Sequence, residues 1–431
     1  MLVILVIIAP LKDVGAASKK VTKITVTNVS KDKLTMFTGK TYQLKASVKP
    51  TNATNKKVTY TSSNKKIATV SSSGKITAKA AGNATITVKA ADGSKVQKKI
   101  RVTVKKKEKV IQKITLPTSE TQKLIVGETY TLNPVIAPSK NKSNGVTYTS
   151  SNTKVVKVTS KGKVTAVGAG SATVKVKAKD TDVVSTTIKF TVKTYGQLTV
   201  KKSQSIAHMG LIYEAPSNSV PAFQKAADSN AFMGIETDVR ETKDGEFVLL
   251  HDADISSRTD GSGLVNKLTL KEILNAKMNR GTNISSYKNL RIPRIEQYLE
   301  ICKDKGMRPI LHIKSITNYN KLLRLLDQYG LKDKAIITGS KATMQKFRAI
   351  DKKINLYWIG YFTKSNIDWA AKNNINLNVS YQEVTQELCD YAHRKKIKVG
   401  AWTVNDYKAA KRVLYKGVDF ITGDYKFALY K

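Results

Sequence analysis

The sequence predicts a multidomain chain in which two all-β sandwiches precede an α/β barrel of (β/α)8, or TIM, architecture. Three observations carry this expectation. The chain has 431 residues, more than the roughly 250–300 that one hydrophobic core sustains. Its first half contains a tandem repeat rich in alternating β-branched and polar residues. In its second half short apolar strands alternate with amphipathic helices, so the apolar period changes from two to 3.6.

Residues 1–17 read as a signal peptide. An apolar run over residues 1–11 is followed by the small residues Gly15, Ala16 and Ala17, the pattern of a secretory leader cut between Ala17 and Ser18. No Lys or Arg precedes the run, so an uncleaved anchor or an incomplete start is the other reading. No later stretch approaches the ~18–20 apolar residues of a membrane span, and the mature chain is expected to lack a transmembrane helix. Only Cys302 and Cys389 are present, which excludes a disulfide framework and a cysteine-based zinc site.

The two sandwiches are expected at residues 18–107 and 108–196. Val58-Thr-Tyr-Thr-Ser-Ser-Asn64 recurs as Val146-Thr-Tyr-Thr-Ser-Ser-Asn152, and Gly74-Lys-Ile-Thr-Ala78 as Gly162-Lys-Val-Thr-Ala166. The offset is constant and too long for a solenoid repeat. Segments such as Ala84-Thr-Ile-Thr-Val-Lys-Ala90, punctuated by Gly and Asn, read as strands and turns. Neither copy gathers His, Asp or Glu, so no chemistry is assigned to them.

The formal net charge is +43. Residues 1–200 hold 37 basic and 8 acidic side chains, so most of the excess falls on the repeated modules. Such a field attracts polyanions without specifying one. The basic residues are lysines scattered along alternating strands rather than arginine clusters with stacking aromatics, which disfavours nucleic acid. A solvated lysine-rich surface is the plainer reading.

The barrel is expected over residues 203–431. Its strand candidates are residues 206–209, 234–239, 247–250, 309–313, 335–338, 356–359, 377–379, 399–402 and 420–421. Helical stretches fall at 319–328, 342–350, 387–395 and 407–415, with an irregular insertion around 253–292. A doubly wound open sheet is the runner-up, but no Gly-rich phosphate loop follows the first strand.

In a barrel the reacting groups collect at the C-terminal ends of strands. Glu236 and Asp238 are two apart on one such strand and point to the same side, a spacing suited to one divalent cation. A surface carboxylate pair, with Ile235 and Val239 buried instead, fits the same parity. Three of the four histidines, His208, His251 and His312, fall at predicted strand ends. Two imidazoles across a cation-bound phosphodiester supply a base for the attacking oxygen and an acid for the leaving alkoxide. His393, in a helical stretch, reads as a surface residue.

Two resemblances follow from these motifs. Gly39-Lys-Thr-Tyr-Gln-Leu44, Pro50, the Tyr-Thr-Ser-Ser-Asn segment and Ala81-Gly-Asn-Ala-Thr-Ile86, repeated as Gly127-Glu-Thr-Tyr-Thr-Leu132, Pro138 and Ala169-Gly-Ser-Ala-Thr-Val174, resemble the bacterial immunoglobulin-like group 2 modules. From Ser205 onward the chain resembles the glycerophosphodiester phosphodiesterase family. The motifs are His208-Met-Gly, Gly234-Ile-Glu-Thr-Asp-Val239, Leu250-His-Asp252, Ser257-Arg-Thr-Asp-Gly-Ser-Gly263, His312-Ile-Lys314, Trp402-Thr-Val-Asn405 and Gly417-Val-Asp-Phe-Ile-Thr-Gly-Asp424.

The second resemblance implies a metal-dependent hydrolase that releases glycerol 3-phosphate and an alcohol. By motif position His208 and His251 match acid/base histidines, Glu236 and Asp238 match metal-binding carboxylates, and Lys314 matches a lysine near the phosphate. Trp402 and Asn405 match a substrate-binding segment at the mouth, with Trp402 as a wall. Three positions depart from the family pattern. Met209 stands for an arginine, Ser217 for a glutamate, and His312 for the glutamate expected as third metal ligand. The family implies Ca²⁺ or Mg²⁺; the imidazole of His312 moves the expectation toward Mn²⁺ or Zn²⁺.

The expected function is therefore a secreted or bacterial cell-surface phosphodiesterase acting on glycerophosphodiesters. Anionic cell-wall polymers or lipid headgroups are the expected partners of the lysine-rich modules. The alternative, from another class, is a non-catalytic surface-binding protein with a degenerate barrel. A phosphoinositide-type phospholipase on a related barrel fits the Glu-x-Asp and Trp-Thr-x-Asn motifs less well.

Overall fold

The computed structural model describes residues 18–106, 111–139 and 145–430. The leader expected at residues 1–17 lies outside the described residues. The chain forms two compact units, residues 1–110 and residues 111–431.

The first unit is a β-sandwich. A four-stranded sheet runs Lys33–Phe37, Gln97–Lys105, Gly82–Ala90, Val58–Ser62, beside a three-stranded sheet of Thr41–Gln43, Lys75–Ala78 and Ala68–Val70. Alternation along each strand sends Ile76, Ile86, Val88, Ile100 and Val102 inward, where all five are fully buried. The intervening Thr and Lys side chains face water, as a half-buried antiparallel strand requires. The second sandwich repeats the plan, with Val146–Ser150, Lys163–Ala166, Gly170–Ala178 and Ser185–Lys193 at the equivalent positions. Its core holds Val164, Val174, Val176, Ile188 and Phe190.

Within the second unit this sandwich rests on the barrel. Gln386, nearly buried, accepts from Lys123 N at 2.6 Å and donates to Thr121 O at 2.7 Å. Lys416 Nζ donates to Lys123 O at 2.6 Å and pairs with Glu128 at 2.8 Å. Tyr415 donates to Thr191 O at 3.0 Å.

The barrel strands, in chain order, are β1 Ser205–Ala207, β2 Gly234–Glu241, β3 Phe247–Leu249, β4 Arg308–Ser315, β5 Ile336–Gly339, β6 Asn355–Ile359, β7 Asn376–Ser380, β8 Val399–Trp402 and β9 Phe420–Gly423. Eight of them pair in parallel around a ring that closes between β1 and β9. β3 is the ninth, an antiparallel partner appended to β2. The helices Tyr319–Gln328, Lys341–Ile350, Gln386–Arg394 and Tyr407–Lys416 occupy the predicted stretches within a residue or two. They pack outside the ring against one core containing Leu322, Phe347, Cys389 and Val413. The irregular insertion after β3 buries its own small cluster, including Ile255, Val265, Ile273 and Ile292.

The strand parity left open by the sequence is resolved by burial on both faces. In a parallel barrel each strand lies between the ring interior and the helices. Ile235 and Val239 are fully buried against the helices, while Glu236 and Asp238 are buried on the interior side. Exposure therefore distinguishes neither set.

One side chain ties β2 to β4 from outside the ring. Tyr298 is fully buried, and its hydroxyl donates to Ile235 O at 2.6 Å and accepts from Ile310 N at 3.0 Å. Tyr298→Phe keeps the volume but leaves both backbone groups buried without a partner. Each such group costs about 1–3 kcal/mol, so thermal or denaturant unfolding of the second unit is expected to show a loss of that order. An unchanged unfolding midpoint would mean the strands re-pair without the hydroxyl.

Candidate functional site

Residues two apart on a strand face the same side, so the side chains that face the axis fill the barrel interior in successive levels. The lower level is an apolar plug that includes Ile206, Ile310, Ile336, Tyr357 and Phe420. One step toward the C-terminal ends the character changes. His208, Glu236, His312, Thr338, Ile359, Asn378, Trp402 and Thr422 line a cavity of about 550 Å³, with Asp238, His251 and Lys314 on the same wall. The plug closes the cavity from below, and the loops that follow the strands form its mouth.

The charged arc of the cavity comes from β1, β2 and β4. Glu236 and Asp238 are 5% and 1% exposed. Burial and the neighbouring Asp238 carboxylate push Glu236 above the ordinary range, against the pull of His208, His312 and the Met209 N–H. Burial would raise Asp238 too, but the His312 bond, the Lys314 ammonium and the Asn218 amide hold it well below the usual carboxylate range. Met209 N donates to Glu236 Oε2 at 3.0 Å. His312 Nδ1 lies 3.1 Å from Asp238 Oδ1 and 3.8 Å from Glu236 Oε1, and Lys314 Nζ lies 3.5 Å from Asp238 Oδ1. Glu236, Asp238 and His312 offer donor atoms all within 4.8 Å of one another. Two buried carboxylates beside a half-buried imidazole suit one divalent cation, whose charge would offset the repulsion between the acids.

Both histidines at the first strand ends are oriented by carboxylates. His208 Nδ1 lies 2.8 Å from Asp424 Oδ1. Asp424 is in turn held by Asn405, whose Nδ2 donates to Oδ2 and whose Oδ1 accepts from Asp424 N. Gly423 permits this approach: a Cβ there would lie 2.3 Å from Val404 O. His251 Nδ1 lies 2.8 Å from Asp252 Oδ1, and Arg240 grips the His251 carbonyl at 2.6 Å. Burial opposes a charge on His208. Its bond to Asp424 and the carboxylates of Glu236, Asp424 and Asp238 outweigh that and raise its pKa above 6.5.

Seven of the eight expected site residues line the cavity. The exception is Asn405, expected to bind substrate at the mouth; its amide is spent on Asp424, so it positions the partner of His208 instead. His393 is half exposed and pairs with Asp419 at 3.0 Å, away from the cavity. Several contributors had no assigned role from sequence. Asp424 closes the Gly417–Asp424 motif but carries no spacing signal toward His208. Asn218, in the left-handed region at φ 52°, bonds Asp238 Oδ2, Asp238 N and Thr237 Oγ1. It sits in the segment where Ser217 departs from the family pattern. Thr338 and Asn378 were legible only as strand residues, and Thr422 only as part of the Gly417–Asp424 motif.

The glycerophosphoryl diester phosphodiesterase family profile matches residues 208–426, and the bacterial Ig-like domain (group 2) profile matches residues 20–100 and 102–188. A glycerophosphodiester phosphodiesterase of Caldanaerobacter subterraneus is 30% identical over 234 residues, covering 52% of this chain and 94% of that protein. A putative glycerophosphodiester phosphodiesterase of Bacillus subtilis is 29% identical over 233 residues, covering 51% and 93%. The solved Oleispira antarctica phosphodiesterase, in complex with sn-glycerol-3-phosphate, is 22% identical with a TM-score of 0.48, covering 54% of this chain and 95% of that one.

The His208–Asp424 pair has a titration signature. In metal-free protein His208 is expected to titrate above 6.5, and Asp424→Asn to bring it down. Because the folded pKa is raised, the pairing stabilises the fold fully below the unfolded pKa and is lost as pH rises through the folded one. Ring-proton NMR measures this directly; a titration unchanged by Asp424→Asn would remove Asp424 from this role.

Proposed function

Because this chain belongs to the glycerophosphoryl diester phosphodiesterase family, we propose that its cavity hydrolyses glycerophosphodiesters to glycerol 3-phosphate and an alcohol, with a divalent cation and two histidines. The chain is a phosphodiester hydrolase. The observation that carries the finer reading is the convergence of His208, His251, Lys314 and the Glu236–Asp238–His312 donor set on one cavity.

The side chains divide the work as follows. Glu236, Asp238 and His312 would hold the cation, which supplies positive charge against the phosphate oxygens. Lys314 adds a further positive charge on the same wall, where the arginine of the family pattern is replaced by Met209. Asp424 takes the Nδ1 proton of His208 in hydrogen bond, leaving Nε2 as its free ring nitrogen. The carboxylates around His208 favour its protonated form, which suits it to donate to the leaving alkoxide. His251, oriented by Asp252, accepts the proton of the attacking oxygen as the P–O bond to the alcohol breaks. Trp402 walls the space for the organic part of the diester.

An extracellular setting and an anionic surface partner complete the proposal. Support comes from the leader-like residues 1–17, the Ig-like modules and the charge of the first unit. Residues 18–106 hold twenty lysines and one arginine against two carboxylates, Asp32 and Asp92. Both are engaged: Asp32 pairs with Lys98, and Asp92 accepts from Val21 N and Ser94 N. Lys33 and Arg101 sit opposite each other on neighbouring strands, both exposed, a like-charge pairing that disfavours the sheet unless an anion lies over it. A linear phosphodiester polymer of the wall, or a surface of anionic headgroups, would do so. No described helix is long and apolar enough to cross a membrane.

Activity and retention assays check these readings. Glycerol 3-phosphate release from a panel of glycerophosphodiesters is expected to vanish when metal is stripped and to return with a divalent ion. His251→Ala is expected to lower it by about 10²–10⁴-fold, the usual contribution of a positioned acid or base. No turnover by folded protein with any of Ca²⁺, Mg²⁺, Mn²⁺ or Zn²⁺ would point to a binding module instead. His312→Glu is expected to move the metal preference from Mn²⁺ or Zn²⁺ toward Ca²⁺ or Mg²⁺; an unmoved preference would take His312 out of the ligand set. Retention of the full chain on immobilised poly(glycerol phosphate) is expected to weaken steeply with salt. Changing Lys33, Lys89, Lys99 and Arg101 together to Gln should reduce it further; retention indifferent to both would reject the sandwich as the contact.

A further inference from the structure

Exposed apolar side chains are spread unevenly over the barrel. Among its described residues seven large ones are exposed, and six of them, Tyr213, Leu264, Tyr361, Trp402, Leu429 and Tyr430, lie at the end where the strands finish. Trp402 also lines the cavity, which places this rim at its mouth. The seventh, Ile350, is the last residue of the helix Lys341–Ile350. A helix outside the ring runs antiparallel to its strand, so Ile350 lies at the base. Apolar side chains scattered singly over a surface are ordinary, whereas a grouping on one rim marks an interaction site.

Part of the rim is continuous. Tyr213 lies against Tyr425 with ring centroids 4.3 Å apart, Tyr425 stacks on Phe427 at 5.5 Å, and Phe427 meets Tyr430 edge-on at 5.4 Å. On its other side the loop that carries Tyr213 meets the irregular insertion. Asn283 donates to Glu214 O at 3.4 Å, and a Cβ on Gly281 would lie 2.7 Å from Pro216. Residues 253–292 hold seven basic side chains against three acidic ones. All three acids are engaged inside the insertion: Asp254 accepts from Ser256 N and Gly263 N, Asp260 from Lys277 N, and Glu272 from Thr269. Lys277, Arg280 and Lys288 are exposed, so the aromatic rim continues into a basic shoulder.

We infer that the mouth of the barrel docks on an anionic lipid surface, with the rim entering the headgroup layer and the basic shoulder lying over the lipid phosphates. Tyr and Trp are the side chains that settle at this layer, because the ring is apolar while the hydroxyl or indole N–H stays wet. Leu264 and Leu429 add apolar area, and lysine and arginine beside such a face add attraction to anionic lipid. A linear phosphodiester polymer would satisfy the shoulder but gives no use to two exposed leucines and to Tyr361, which is 74% exposed. Docked in this way, the cavity opens onto the surface. The inference deepens the anionic-partner part of the functional reading by giving the barrel a contact of its own, and it does not depend on turnover.

Cosedimentation of the full chain with vesicles tests this, using phosphatidylcholine alone or mixed with phosphatidylglycerol. It is run at low salt and at about 1 M salt, where the Debye length falls to about 3 Å and the attraction of the lysine-rich sandwich is screened. Wild-type protein is expected to prefer the anionic vesicles at low salt and to keep measurable binding at high salt, since apolar insertion is not screened. Leu264→Ser, Tyr361→Ser and Leu429→Ser together remove exposed side chains that do not line the cavity. This variant is expected to lose roughly 10-fold or more in vesicle affinity at high salt. Its retention on poly(glycerol phosphate) and its turnover of soluble glycerophosphocholine should stay within about twofold. Changing Lys277, Arg280 and Lys288 to Gln should reduce the preference for phosphatidylglycerol at low salt. Vesicle binding that vanishes at high salt, that the rim variant leaves unchanged, or that falls no further than polymer retention would overturn the docking surface. If wild-type protein cleaves no diester, the hydrolase reading fails; unfolding midpoints then show that the variants are folded, and vesicle binding still decides the docking.

Discussion

Two carboxylates buried side by side set the terms for the rest of the barrel interior. Glu236 and Asp238 lie two residues apart on one strand, nearly inaccessible, where like charges repel far more than in water. Their surroundings are arranged to bear that: a backbone N–H on Glu236, an amide, an imidazole and an ammonium on Asp238. The asymmetry follows from the partners. Asp238 holds most of them and stays ionised, while Glu236 is pushed toward its protonated form. A divalent cation held by these carboxylates would remove the conflict, and metal binding would then be tied to the electrostatics of the fold itself.

That constraint reaches outward through the loops. Asn218 contacts Asp238 from a left-handed backbone position, and its N–H bonds Met209 O. Met209 is itself left-handed at φ 53°, a conformation costly for such a side chain. Gly210 follows at φ 82°, where a Cβ would meet the Ala222 backbone at 2.7 Å. The turn that brings His208 and the Met209 N–H to the carboxylates therefore needs glycine next to it. With the arginine of the family pattern absent, Lys314 remains as the cation of the arc nearest the acids.

The second sandwich is joined to the barrel by polar contacts made largely with backbone. Gln386 serves as both donor and acceptor to strand atoms of the sandwich, and Lys416 bridges a carbonyl and Glu128. Contacts to backbone carbonyls and N–H groups depend on where the strand lies, and only weakly on its side chains. For this reason the junction left no pattern in the sequence, although the repeat that builds the sandwich did.

The elements themselves were legible because their signals are local. A period of two in the repeats and of 3.6 in the helices follows from backbone geometry within a few residues, and His208, Glu236, Asp238, His251 and His312 stand out by residue type at strand ends. The roles of Asp424, Asn405 and Asn218 were not legible, since each acts on a residue distant in the chain: Asp424 reaches His208 only because β9 closes against β1. Parity could not separate lining residues from packing residues, because a parallel barrel buries both faces of every strand. The sequence alone determined which segments become strands and helices and which residue types could carry charge at their ends. Ring closure decided which of those side chains share one low-dielectric space, and it is that sharing that shifts their charges.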